Sequence, residues 1–286
     1  MRKIKLALVQ CATQAGEIDR NRKLAQNLIQ QAAGQGAQLV CLPELFTTAH
    51  DFDLIRAQSQ AHGTAYGKSR KCRKTPGTAP VESSPVAASG AASNPEDVDW
   101  LAEMACSLKI HLLAGTIPEK DHGRFYNTAF FFNDQGKVLG KYRKVHLFPP
   151  MGEDTFFSPG LDCPVFDTPL ARVGVCICYD LRFPVQFADL AARGADIILV
   201  PARFPHPRLE HWQILIRARA IENYLFTAGC NCTGTHSRQV FCGHSCIISP
   251  WGETLTEAKE REEVVMAEID LDLVQESRSF FQRRNG

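Results

Sequence analysis

Short apolar runs alternate with longer stretches of helical spacing along the first half of the chain. Ile4, Leu6, Ala7, Leu8 and Val9 predict a buried strand over residues 4–9. Leu24, Leu28 and Ala32 share one face of a helix expected over 19–33, which stops at Gly34 and Gly36. A second short strand, 39–42, delivers Pro43-Glu44. A helix near 98–108 and a strand at 112–116 follow. Two apolar runs, 126–132 and 138–142, flank Asn133-Asp134-Gln135-Gly136 and predict a hairpin. In the second half the pattern predicts strands at 172–177, 197–200, 226–231, around 246–249 and at 264–269. Helices are expected at 184–192, where Pro184 suits a first turn, and at 209–223. Early alternation of strand and helix, with hairpins interspersed, indicates an α/β protein with a mixed sheet system and helices outside. No internal repeat and no second-domain boundary appear, so residues 1–286 read as one domain. The exception is a segment at about 64–96. Lys68, Arg70, Lys71, Arg73 and Lys74 precede a Ser/Ala/Pro/Gly tract there, the composition of a mobile surface insertion.

Composition narrows the classes. With 286 residues, 44% hydrophobic and 22% charged, the chain is long enough for an ample core. A net charge of +1 provides no electrostatic case for nucleic acid or an acidic membrane surface. The apolar stretch after Met1-Arg2-Lys3 is too short for the core of a signal peptide, and no run approaches a membrane span, so a cytosolic location is expected. Eleven cysteines, an odd count in a long chain, predict reduced and mostly buried thiols. Cys230, Cys232, Cys242 and Cys246, with His236 and His244, raise the question of zinc, but their spacing matches the usual zinc patterns poorly.

One thiol stands apart. Val173-Gly174-Val175-Cys176-Ile177 ends at Cys178, and Tyr179-Asp180-Leu181-Arg182-Phe183-Pro184 turns the chain into the next helix. A thiol at such an elbow lies near free backbone N–H groups and a helix dipole, which favour a thiolate and stabilise an oxyanion. The competing reading is a core cysteine. Two other strand ends carry unexpected charge: Glu44, directly after 39–43, and Lys144, in Tyr142-Arg143-Lys144-Val145-His146-Leu147.

Taken together, Leu42-Pro43-Glu44-Leu45, Tyr142-Arg143-Lys144-Val145-His146-Leu147 and Cys178-Tyr179-Asp180-Leu181-Arg182-Phe183-Pro184 resemble the three signature blocks of the carbon–nitrogen hydrolase (nitrilase) superfamily, in order and context. His211-Trp212, Arg217-Ala218-Arg219-Ala220-Ile221-Glu222-Asn223 and Gly243-His244-Ser245 extend the resemblance, which runs from about residue 5 to 284 outside the insertion. It implies a four-layer α-β-β-α sandwich assembled as a homodimer or larger homo-oligomer. It also implies a triad of Glu44, Lys144 and Cys178, with the Tyr179 backbone N–H at the oxyanion and no metal or organic cofactor. Many members carry a second glutamate between the lysine and the cysteine. Glu153 occupies that place, with Asp154 as the adjacent alternative.

The residues after the thiol resemble the ω-amidase and related amidohydrolase branch rather than true nitrilases. The implied partner is a small-molecule amide, hydrolysed through a Cys178 thioester with release of ammonia. A carboxylate at its far end would call for an arginine. Arg182 and Arg203 are the candidates, Arg182 also being open to a structural ion pair with Asp180 or a place at an oligomer interface. Arg203 departs from the small residue of ω-amidases, which leaves room for another acidic substrate. N-carbamoyl amidohydrolase and nitrilase are the alternative activities. A catalytically silent binding scaffold of the same fold is the alternative of another class, and a Cys-His hydrolase using His146 or His211 is a further one. Phe125, Tyr126, Phe148, Phe204 and Trp212 are candidate pocket walls as well as core residues, and His146 and His244 are expected to be satisfied structural histidines.

Overall fold

The computed structural model of the chain describes residues 2–61, 95–236 and 239–282. The insertion expected at about 64–96 lies outside them except for Pro95 and Glu96, which open a helix instead. In chain order the elements are β1 (Lys3–Gln10), α1 (Ile18–Gly34), β2 (Leu39–Cys41), α2 (Phe52–Ala61), α3 (Pro95–Leu108), β3 (His111–Leu113), β4 (Ile117–Asp121), β5 (Arg124–Phe132), β6 (Val138–Arg143), α4 (Glu153–Phe156), β7 (Val165–Asp167), β8 (Arg172–Val175), α5 (Pro184–Ala192), β9 (Ile197–Ala202), α6 (Leu209–Asn223), β10 (Phe226–Asn231), β11 (Thr233–His236), β12 (Gln239–Cys242), β13 (Cys246–Ile248), β14 (Thr254–Glu257), β15 (Glu263–Asp270) and α7 (Asp272–Gln282).

Two sheets form the centre. The first runs β15-β1-β2-β3-β5-β4, with β6 also on β5; the second runs β14-β13-β10-β9-β8-β7. Each has a parallel middle, β1-β2-β3 in one and β8-β9-β10 in the other, and antiparallel flanks. Parallel strands covered on both faces need apolar side chains at every position, and β1 shows the consequence. Leu6 and Leu8 point to the interior shared with β8, β9 and β10, while Ala7 and Val9 meet α1. Residues Val40, Phe130 and Phe132 join the outer core with Ala25, Ile29, Leu101 and Met104. On the other side α5 and α6 cover the second sheet through Phe187, Leu190, Trp212 and Ile216. At Gly229 a Cβ would stand 2.6 Å from the Trp212 ring, so only glycine lets α6 settle there. The resulting layers are helix, sheet, sheet, helix.

Several expectations need adjustment. The strand expected at 112–116 ends at Leu113, because Gly115 takes φ +54° and turns the chain. Elements α2, β4, β7, β11, β12, β14 and α7 add to the predicted set. Among the described residues no helix is long and apolar enough to cross a membrane.

Candidate active site

Three strand ends and one short helix meet at one edge of the sandwich. Glu44 follows β2 and is fully buried. Its turn is locked to the connection between β3 and β4: Thr116 N donates to Pro43 O at 3.2 Å and Leu45 N to Thr116 Oγ1 at 2.7 Å. Lys144 follows β6 and is 1% exposed, its N–H donating to Asn127 O at 2.9 Å. Glu153 begins α4 after left-handed Gly152 and is also fully buried, whereas Asp154 faces solvent. Of the two adjacent acids, Glu153 is therefore the one brought to the site.

Lys144 Nζ donates to Glu44 Oε1 at 2.7 Å and to Glu153 at 2.7 Å (Oε2) and 2.9 Å (Oε1). Asn127 Nδ2 donates to Glu44 Oε1 at 2.9 Å and Phe148 N to Glu153 Oε2 at 2.8 Å. His50 Nε2 lies 3.0 Å from Glu153 Oε1. The second oxygen of Glu44, Oε2, accepts from Arg203 N at 3.1 Å. Burial works against the Lys144 ammonium, yet the Glu153 and Glu44 carboxylates outweigh it and hold the pKa above the usual lysine range. Burial also disfavours the Glu153 carboxylate, but Lys144 and His50 hold its pKa well below the usual range. Among the described residues, the donors able to gather round a metal ion are Glu44, His50 and Glu153, and both of those carboxylates bind the Lys144 ammonium. The cysteines and histidines of 230–246 do not form such a group. Instead Cys230 Sγ donates to Cys41 O at 3.2 Å and Cys242 Sγ to Phe204 O at 3.0 Å.

Cys178 sits where the extension of β8 ends. Cys176 N still bonds Leu199 O at 3.1 Å, then Cys178 adopts φ +47° and starts a 3-10 turn over Cys178–Arg182. This left-handed conformation is strained for a residue with a Cβ. Asp180 clamps the turn. Its Oδ2 accepts from Ile177 N at 2.8 Å and Tyr142 OH at 2.7 Å, and its Oδ1 from His146 N at 2.9 Å. The pull of the elbow towards a thiolate is opposed by its surroundings. Burial pushes the Cys178 thiol up, the Glu44 carboxylate adds to this, and the Lys144 ammonium opposes it only in part. The Cys178 thiol is thus harder to ionise here than a free cysteine.

The remaining candidates separate. Arg203 is 1% exposed, lies over the Phe241 ring at 4.3 Å, and leaves Nε and Nη1 buried without a hydrogen-bond partner. Arg182 is half-buried; its Nη2 lies 3.1 Å from His211 Nδ1 and its guanidinium 5.7 Å from the Phe204 ring. The ion pair with Asp180 does not form, because Asp180 is committed to the clamp. His146 Nδ1 also belongs to that clamp, 2.8 Å from Asp180 Oδ1, and His244 Nδ1 pairs with Glu257 at 2.7 Å. Phe204 and Trp212 pack in the core, 5.5 Å apart, while Phe52 and Phe156 stack at 4.5 Å beside a surface cleft of about 540 Å³. His50 and His236 line the same cleft. Sequence reasoning missed His50 and Asn127. The second had a signal: an asparagine and a threonine inside the apolar run of β5 are buried polar groups that need partners.

Fold and site together define a nitrilase-type sandwich with a cysteine, a lysine and a carboxylate after strand ends and a second carboxylate at the start of a short helix. The profile of the carbon–nitrogen hydrolase family matches residues 5–279, and the chain belongs to that family. The chain is 36% identical to omega-amidase NIT2-A of Xenopus laevis, over 97% of this chain and 92% of the relative. It is 32% identical to 2-oxoglutaramate amidase of Bacillus subtilis, over 90% and 86%. The crystal structure of Saccharomyces cerevisiae Nit3, a member of branch 10 of the nitrilase superfamily, superposes with a TM-score of 0.80 at 31% identity, covering 98% of this chain and 94% of that one.

Proposed function

We propose that the protein is a thiol-dependent amidase of the ω-amidase kind, releasing ammonia from a small amide that carries a carboxylate at its far end. The observation that carries the substrate class is Arg203: a buried guanidinium with two unpartnered N–H groups, on the residue whose backbone N–H touches Glu44. A buried cation without a counter-charge is costly, and a substrate carboxylate supplies one. The omega-amidase and 2-oxoglutaramate amidase names of the relatives point the same way.

In the proposed reaction Glu44 takes the Cys178 proton as sulfur attacks the carbonyl carbon. The oxyanion forms opposite the Lys144 ammonium and the backbone N–H of Tyr179, the second residue of the 3-10 turn, whose N–H lacks an intrahelical acceptor. Protonated Glu44 gives its proton to the leaving nitrogen. The C–N bond breaks, ammonia departs and a Cys178 thioester remains. Water then attacks the thioester carbonyl with Glu44 as base, returning the thiol and a carboxylic acid. Glu153 is a poor base because Lys144 and His50 hold it ionised; it positions Lys144 instead. A homodimer or larger homo-oligomer is part of the same reading. It is supported by the outer face of α6, where Ile214 and Ile221 are 63% and 46% exposed.

The test is ammonia release from glutaramate- and succinamate-type acids, neutral aliphatic amides, N-carbamoyl compounds and nitriles, with Cys178→Ala as blank. Turnover of the carboxylate-bearing amides is expected. Release confined to neutral amides, carbamoyl compounds or nitriles would overturn the substrate class and leave the thiol chemistry standing.

A further inference from the structure

The ribbon formed by β11 and β12 supplies a feature that neither the family nor the motifs assign. Its register pairs Gly234 with Phe241 and His236 with Gln239, while Thr235 pairs with Val240. Side chains alternate along strands and share a face across paired positions. Gly234, His236, Gln239 and Phe241 therefore project to one side and Thr235 and Val240 to the other. The second side meets solvent at Thr235 and Val240, the latter 46% exposed, and is buried only at the base of the ribbon, where Thr233 pairs with Cys242; the first is internal, since Phe241 is 2% exposed. The ribbon is fastened to the segment that follows Arg203: Cys242 N donates to Phe204 O at 3.2 Å and His206 N to Val240 O at 2.8 Å. Its internal face consequently lies on Arg203, whose guanidinium covers the Phe241 ring.

On that face the polar atoms are not paired with one another. His236 Nδ1 and Gln239 Oε1 are buried without a hydrogen-bond partner, as are Nε and Nη1 of Arg203. Orphaned buried polar atoms are rare and each calls for a partner. Four of them on three residues, beside a cleft that His236 itself lines, describe a recognition surface for a small polar group.

We propose that Arg203, His236 and Gln239 form one subsite that receives the carboxylate head of the substrate, with the ribbon as its specificity-determining wall. This inference rests on the amidase reading above and extends it to two residues outside the triad. Arg203 provides the charge and a fork of donors for the two carboxylate oxygens. His236 adds a neutral N–H donor, since burial and then Arg203 hold its pKa below the ordinary histidine value. Gln239 borders the carboxylate and can donate to it only through Nε2, since its Oε1 is an acceptor. Phe241 keeps the guanidinium plane in place from below.

The test compares kcat and KM for glutaramate and for pentanamide, a neutral amide of the same chain length, in the wild type and in His236→Ala, Gln239→Leu and Arg203→Met. The ratio of kcat/KM values, acid over neutral, should fall about tenfold in the first two and about a hundredfold in the third, through KM for glutaramate. A general folding defect would lower both substrates together and leave the ratio intact, so the ratio isolates the subsite. A second reading uses glutarate binding to Cys178→Ala by calorimetry, where adding His236→Ala should weaken binding several-fold. If the wild type hydrolyses glutaramate and the His236→Ala and Gln239→Leu ratios stay within twofold of it, the subsite is wrong and the amidase reading survives. Should the wild type turn over pentanamide but not glutaramate, both fall.

Discussion

Lys144 keeps its charge in a site nearly closed to water because two carboxylates flank it. The three groups are a unit, and removing one leaves the others exposed to the full cost of burial. Glu44→Gln, Lys144→Ala and Cys178→Ala are each expected to lower kcat for ammonia release by at least about a thousandfold. Substantial turnover in any of them would refute the triad. Lys144→Ala should also destabilise the fold by about 3–5 kcal/mol, since two buried carboxylates lose their cation; thermal unfolding reads this directly. The pH dependence follows from the directions of the shifts. Glu153 has its pKa lowered from the ordinary 4.5, so its contribution to stability is complete above that value and is lost as pH falls below it. Lys144 has its pKa raised from 10.5, so its contribution is complete below that value and is lost only in stronger alkali. Glu153→Gln should flatten the acid limb of a stability–pH curve, and an unchanged limb would contradict the pairing. At this scale Glu44, Lys144 and Cys178 were singled out by the resemblance of the three blocks that carry them to a known family, since a charge or a thiol at the end of one apolar run is a weak signal by itself. The partners of Arg182, and the involvement of His50, were not, since a side chain's contacts come from segments distant in sequence.

At the scale of elements, Asp180 joins two of the motifs. It holds Ile177 and the strained Cys178 turn on one side and Tyr142 and His146, flanking Lys144, on the other. Asp180→Ala should cost about 3 kcal/mol or more, because several buried donors lose their acceptor. It should also reduce kcat more than it raises KM, since the nucleophile and the ammonium lose registry. Asp180→Asn, which keeps the shape, should recover part of the loss; equal kcat in wild type and Asp180→Ala would remove the clamp from the argument. Gly115 does similar work between β2 and β3. With φ +54° and a would-be Cβ only 2.0 Å from Pro43 O, Gly115→Ala is expected to displace Glu44 and lower both melting temperature and kcat. The spans expected for α6 and β10 match their observed bounds. Left-handed Tyr224 closes the helix, and a run of six buried residues makes the strand. The ribbon β11–β12 escaped notice because its strands are four residues each and mix polar and apolar side chains on both faces, so no apolar period marks it.

For the whole molecule, the sandwich places polar strand ends along one edge and apolar faces within. Leu8 and Val175 belong to the core shared by the two sheets, and Leu8→Ala should cost about 2–5 kcal/mol without altering the selectivity ratio between acid and neutral amides. The exposed face of α6 leads to another expectation: sedimentation of the purified protein should show a dimer or larger species, and Ile214→Glu should shift it towards monomer. A monomeric wild type would overturn the proposed assembly. What the sequence determined by itself is the α/β order, the positions of its principal strands and helices, and the placing of Glu44 and Lys144 after apolar runs and of Cys178 at the end of one. Period and residue type are local quantities, and both are written along the chain. Only the tertiary structure decided that Glu153 rather than Asp154 meets Lys144, that burial raises the pKa of the Cys178 thiol, and that Arg203 is buried under the ribbon. Burial and the summed field of distant charges exist only once the two sheets have closed on each other.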